Sequence, residues 1–252
     1  MKIGLVSFAI NSKDRSTAEN HPDYFLKIVN KYDRLDIIVF SGWTILKEDL
    51  ERIKNEITNK NSLILFEAWN DIYEGEERHK GYYFREGNFY NNDIVQIFAT
   101  SNEISSDRGK MGKYLEHTKE KRIIAYKKKN ICWIICGEIN VLKNIQSENN
   151  RALFRFENDN FLKDAFDGIY KKTDIFINPT HTIMGNQGKL KKRREYLSQS
   201  NKIFCSVSNA NIANGEKLDY KSIQYLYRNG EEINGEEVYR NNEVILKKYI
   251  VA

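Results

Sequence analysis

The strongest chemical suggestion in the chain lies at the end of one apolar run, Ile131-Cys132-Trp133-Ile134-Ile135-Cys136-Gly137-Glu138. The run reads as a buried strand that stops at Cys136, and Gly137 permits a sharp turn directly after it. Side chains at strand ends in an α/β protein face the crevice where ligands bind. A thiol there, followed by a glycine whose amide is sterically open, suits a nucleophile with a backbone oxyanion donor. The competing reading is that Cys136 only fills space, since free cysteines are among the most buried residues. Cys132 falls on the same face of the strand by period 2 and is expected to be core. Two later segments favour chemistry: Asp174-Ile175-Phe176-Ile177-Asn178-Pro179-Thr180-His181, and the stretch from Arg193 to Asn211.

The elements that must position these groups alternate over the first third of the chain. Residues 2–8 and 35–40 read as strands, the second ending at Ser41-Gly42, and 62–68 as a third. Tyr24, Phe25, Ile28, Val29 and Tyr32 recur at helical spacing, as do Leu46, Leu50, Ile53 and Ile57. Continuous apolar strands separated by amphipathic helices indicate an α/β sheet covered by helices. Residues 80–86, 93–100, 121–127 and 131–136 are expected to be strands without helices between them, and 101–120 a long surface loop bordering a site. A helix over Phe161–Tyr170, a strand over Asp174–Asn178, a polar helix over 188–200 and strands over 202–208, 220–228 and 243–250 complete the pattern. No linker, repeat or low-complexity segment divides residues 1–252, which are expected to form a single domain.

Composition bounds the function. The 252 residues carry 40 Lys+Arg and 35 Asp+Glu, for a formal charge of +5, and 40% are apolar. Only 2 prolines stand against 28 asparagines, a bias that follows from A+T-rich codons and weakens any inference from excess lysine. The run Lys119, Lys121, Arg122, Lys127, Lys128, Lys129 encloses Ile123-Ile124-Ala125-Tyr126 and reads as an edge strand guarded by lysines rather than a nucleic-acid patch. Tyr82 and Tyr83 are expected to pack. No apolar run is long enough to span a membrane, and Met1–Val6 is too short for a signal peptide. The three cysteines form neither a closed disulfide set nor a zinc pattern, which points to a reducing cytoplasm and no metal.

At the level of its motifs the chain resembles the nitrilase, or carbon–nitrogen hydrolase, superfamily. The matching pieces are KIGLVSF, DIIVFSG, IICGE, DIFINP and REYLSQSNKIFCSVSNANIANG, in the family's order, from Lys2 to about Gly215. The resemblance implies a four-layer α-β-β-α sandwich, usually a homodimer paired through one helical layer. It implies hydrolysis or condensation of non-peptide C–N bonds through a Cys thioester, with a Glu base, a Lys for the tetrahedral intermediate, and no cofactor. Cys136 matches the nucleophile and Glu138 the carboxylate two residues on. The family's Glu should follow Phe40 by two residues, where this chain has Gly42. The family's Lys should stand about forty residues before the Cys, where Gln96 is the best match.

A thiol needs a base or local positive charge to supply thiolate at neutral pH. Glu67, a carboxylate in the apolar run LILFEAW, is a candidate replacement base. His181, just past Pro179 at a strand end, is a candidate activator of Cys136 or pocket-wall residue, with Gly137 beside it as a substrate-binding position. Lys110 and Lys113 are candidates for the missing Lys, each weighed against a solvated loop role. Glu138 is read as a group that orients the site, and Arg194 as a salt-bridged structural residue. Three functional readings follow. The first is a divergent hydrolase with Cys136, Glu138 and Glu67 as its catalytic groups, acting on a small amide-like substrate. The second is a catalytically inactive protein of the same fold that binds a ligand or partner. The third is a basic nucleic-acid-binding protein.

Overall fold

The computed structural model describes residues 1–10, 21–73, 76–211 and 223–251, with side chains for all of these except 70–78 and 211. The part of the family-like segment over 212–215, and the start of the strand expected over 220–228, lie outside the described residues. The first half forms β1 (Lys2–Ile10), α1 (His21–Lys31), β2 (Ile37–Phe40), β3 (Ile45–Leu46), α2 (Leu50–Glu56), β4 (Leu63–Tyr73), β5 (Glu76–Arg85) and β6 (Asn88–Val95). Then come α3 (Ser101–Ile104), α4 (Arg108–Lys121), β7 (Ile123–Tyr126), β8 (Lys129–Trp133), β9 (Leu142–Ile145), β10 (Arg151–Phe154), α5 (Asn160–Lys172) and β11 (Ile175–Thr180). The chain closes with α6 (Gln187–Leu197), β12 (Ile203–Ser208), β13 (Ala210–Asn211), β14 (Gln224–Arg228), β15 (Glu231–Ile233), β16 (Glu236–Arg240) and β17 (Val244–Ile250).

The strands make two large sheets. One runs β16-β17-β1-β2-β4-β5-β6, with β13 beside β1 and β3 beside β4; the other runs β15-β14-β12-β11-β8-β7. β1, β2 and β4 are mutually parallel, as are β8, β11 and β12. Period-2 alternation sends one row of each strand between the sheets: Leu5, Val39 and Leu65 from the first meet Trp133, Ile177 and Cys205 from the second. The alternate row of the first sheet, Val6, Ile38, Ile64 and Phe66, packs under Phe25, Ile28 and Val29 of α1 and Leu50 and Ile53 of α2. That of the second, Cys132, Phe176 and Phe204, packs under α4, α5 and α6. The result is the four-layer α-β-β-α sandwich that the resemblance implied.

The segment 101–120, expected to be a surface loop, is helical over most of its length. Asp107 caps α4 by accepting the Lys110 N–H at 2.8 Å. Met111, Tyr114, Leu115 and Thr118 then bury one face at i, i+3, i+4 and i+7. Two glycines and the many charged residues of α4 blur this period in the sequence. The lysine-flanked β7 is the edge strand of its sheet, and Tyr82 and Tyr83 are both buried. No helix among the described residues is long and apolar enough to cross a membrane.

Candidate active site

Three inter-sheet rows end in polar residues at the same edge, the carboxyl ends of the parallel strands, where α/β sheets place ligands. Along β4 the row Leu63, Leu65 continues to Glu67. Along β11 the parity of Ile175 and Ile177 continues to His181, just past the strand. Along β12, Cys205 and Val207 are followed by Asn209. All three end residues are held at the exits of the apolar core.

Cys136 arrives differently. β8 ends at Trp133, and Asn178 clamps the chain beyond it, its Nδ2 donating to the Ile134 and Cys136 carbonyls at 2.9 and 3.0 Å. Cys136 itself has φ +43°, a left-handed conformation that costs a non-glycine residue about 1–2 kcal/mol. Strict alternation would put it with Cys132 on the helix-covered face, as the sequence suggests. The left-handed turn instead packs it against the inter-sheet core, while Cys132 and Ile134 stay on the other side.

The His181 Nε2 lies 2.9 Å from the Glu67 Oε2, and the Cys136 side chain is near enough to the imidazole to act on its charge. Glu67 is fully buried, and its Oε2 accepts the Trp43 N–H at 3.3 Å while Oε1 has no partner among the described residues. The Trp43 indole stacks on the His181 ring, centroids 4.5 Å apart and planes 6° from parallel, with Trp69 and His79 further round the same wall. Burial alone would lower the imidazole. The Glu67 carboxylate, with the nearby Cys136 side chain, outweighs it and raises His181 to about 10. Burial likewise pushes Glu67 up, but the His181 charge and hydrogen bond bring its carboxyl below the ordinary value. Both directions favour a charged imidazolium–carboxylate pair.

Gly42, where the family pattern expects a Glu, stands against this pair. A Cβ on Gly42 would lie 2.3 Å from the His181 Cδ2 and 3.0 Å from the Glu67 Oε2. The volume next to Gly42 is therefore already filled by His181. Asn209 fixes both backbones: its Nδ2 donates to the Gly42 and His181 carbonyls at 2.6 and 3.0 Å, and its Oδ1 accepts from the Phe8 N–H and the Ser41 hydroxyl. Sequence reasoning passed over this residue. Its signal is a polar side chain on the inward parity directly after the apolar strand Ile203–Val207.

Other expected site residues serve the fold. Glu138 is fully buried and saturated: Arg122 binds both its oxygens, and the Ile97 and Ile135 N–H groups donate to them at 2.6 and 2.9 Å. Its expected catalytic role is corrected to that of an anchor for the turn after Cys136, because no lone pair of the carboxylate is left for substrate. Gly137 is needed for close approach, since a Cβ would fall 1.6 Å from the Ala99 carbonyl oxygen. Gln96 donates to the Phe98 carbonyl at 3.0 Å. Lys110 and Lys113 ride on α4 in the outer helical layer, with Lys110 3.8 Å from Glu103. Arg194 bonds Gln187 and lies 3.8 Å over the Tyr225 ring, with no carboxylate partner among the described residues. Among the described residues no three His, Cys, Asp or Glu side chains group as a metal would require.

No family model and no curated protein sequence matches the chain. Solved structures do. An amidase from Nesterenkonia sp. AN1 aligns over 100% of this chain and 93% of its own at 8% identity and a TM-score of 0.59. A carbon–nitrogen hydrolase superfamily protein from Xanthomonas campestris, with an arsenic adduct in its active site, aligns over 98% and 89% at 10% identity and 0.56. A glutamine-dependent NAD+ synthetase from Acinetobacter baumannii aligns over 99% of this chain at 10% identity and 0.55, and the chain spans 45% of that protein. Identities this low speak to architecture, and on that ground the chain has the fold of the nitrilase, or carbon–nitrogen hydrolase, superfamily.

Proposed function

We propose that the protein is a cysteine-dependent hydrolase of a small amide-like substrate, attacking a non-peptide C–N bond with Cys136. The observation that carries this reading is the continuous Cys136–His181–Glu67 contact at the carboxyl ends of the strands. It supplies a base, an acid and an orienting carboxylate where the family-type Glu and Lys positions hold Gly42 and Gln96. In the first half-reaction the Cys136 sulfur bonds to the substrate carbonyl carbon, with its proton on His181. The imidazolium then gives that proton to the leaving nitrogen as the C–N bond breaks, leaving a thioester and a free amine. Water attacks the thioester with His181 as base, releasing the carboxylic acid and restoring the thiol. Glu67 holds the imidazole orientation and balances its charge throughout, as the carboxylate does in other nucleophile–His–acid sites. The homodimer implied by the resemblance belongs to the same proposal.

The test uses p-nitrophenyl acetate, whose leaving group departs without protonation. Mass spectrometry of the quenched protein should find an acetyl group on Cys136 and a burst of p-nitrophenolate, both absent in Cys136→Ala. An unmodified Cys136 under conditions that acetylate surface lysines would overturn the reading in favour of a non-catalytic ligand-binding protein.

A further inference from the structure

Behind the turn that follows Cys136, two guanidinium groups share Asn140 and, among the described residues, neither is paired with an acid. Arg193, in α6, is 8% exposed. Its Nε donates to the Asn144 Oδ1 at 2.9 Å and its Nη1 to the Asn140 Oδ1 at 2.5 Å. Arg155, just after β10 and half-buried, donates from Nε to the Asn140 carbonyl at 3.0 Å and from Nη2 to the Leu142 carbonyl at 3.5 Å. Every one of these acceptors is neutral. The Nη2 of Arg193 and the Nη1 of Arg155 make no hydrogen bond among the described residues. The acids nearest in sequence, Glu157 and Glu195, are taken by Lys143 at 3.1 Å and Lys192 at 2.9 Å.

Buried charges are normally paired, as Arg122 is with Glu138 in this same chain. Here burial lowers both guanidinium groups, and the charge of Arg155 lowers Arg193 further, to about 10. Among the described residues no carboxylate offsets the repulsion. The arrangement is nevertheless rigid. Asn140, which contacts both arginines, is itself tied down by its Nδ2, which donates to the Gly137 carbonyl at 2.7 Å.

We propose that Arg155 and Arg193, braced by Asn140 and Asn144, form a binding site for a small oxyanion, a phosphoryl or carboxylate group. The planar guanidinium fork matches the paired oxygens of either group. The near-complete burial of Arg193 favours a compact anion over a folded acidic surface. This site is separate from the Cys136 chemistry and stands or falls without it.

The test is isothermal titration calorimetry of the full chain with inorganic phosphate and, in a parallel arm, acetate, at ionic strength held constant with sodium chloride. Saturable binding of one anion per chain is expected, and the stronger arm identifies phosphoryl or carboxylate as the preferred group. Arg155→Gln should weaken it by at least about tenfold, the loss of one charge-assisted hydrogen bond. Asn140→Asp, which places a carboxylate between the arginines while keeping the side-chain shape, should weaken it comparably and guards against misfolding of the first variant. No saturable heat in either arm, or Arg155→Gln binding as tightly as the parent, overturns the proposal. A carboxylate of a second copy already seated there would also overturn it, and would show as absent anion binding with a molar mass that falls in Arg155→Gln.

Discussion

Replacing Glu67 by Gln removes one charge from the site and almost no volume. The expected cost follows from the geometry in three ways. At 2.9 Å and an effective dielectric constant of about 20, the Coulomb attraction is about 6 kcal/mol before desolvation. The rise of the imidazole from 6.5 to about 10 corresponds to about 5 kcal/mol. Breaking a buried ion pair by removing one partner costs about 3–5 kcal/mol. These are views of one interaction and do not add. The sign with pH follows from the directions. A raised His181 contributes stability in full below 6.5, and that stability is lost as pH rises through about 10. A lowered Glu67 contributes above its ordinary 4.5, lost as pH falls through its folded value. The pair is therefore fully effective between about pH 5 and 6.5 and still largely so at pH 7. In Glu67→Gln, burial dominates His181, so the variant should instead lose stability as pH falls below 6.5. Guanidinium unfolding of parent and variant should differ by about 3–5 kcal/mol at pH 7 and by about 1 kcal/mol, a neutral hydrogen bond, at pH 10.5. A gap under about 1 kcal/mol at pH 7, or one that does not narrow at pH 10.5, refutes the ion-pair argument.

Two further outcomes bear on the same site. Gly42→Ala drives a Cβ to 2.3 Å from the His181 ring; it should cost about 1–3 kcal/mol by thermal unfolding and slow acetylation of Cys136, because the imidazole must move. If His181 protonates the leaving amine, turnover of a simple carboxamide should fall as pH rises through about 10, whereas acetylation by p-nitrophenyl acetate should show no such fall; parallel alkaline limbs would remove His181 from the acid role.

Much of this architecture is legible in the sequence because burial leaves an alternating trace. The strands over Lys2–Phe8, Leu35–Phe40 and Ser62–Ala68 are apolar because both faces are covered, and their parity already places Glu67 in line with Leu63 and Leu65. What the sequence hides is of two kinds. The helix α4 carries its apolar residues among so many charges that the period is diluted, and only Asp107 marks its start. The orientation of Cys136 depends on a single left-handed residue, which reverses the face that alternation would assign. No propensity signals this, because cysteine does not favour such a conformation; the turn is imposed by the Asn178 clamp and by the glycine-only gap beside Ala99. The partnership of Gly42 with His181 is hidden for a third reason: 139 positions separate them in the sequence, and only the sandwich brings their strands together.

Two carboxylates in this fold are equally buried and equally close to an apolar strand, yet they differ in what is left over. Glu138 spends its oxygens on Arg122 and two backbone amides. A carboxylate so satisfied is fixed in charge and place, and it can do no more than hold the turn that follows Cys136. Glu67 spends one oxygen on His181 and Trp43 and leaves the other, itself buried, without a partner among the described residues. An unsatisfied buried acceptor lowers stability, and folds concentrate such costs where a ligand or a reaction can recover them. The motif-matched carboxylate two residues after Cys136 is thus the structural one. The carboxylate that no motif marks, on a strand about seventy residues away, is the one with an oxygen left over among the described residues.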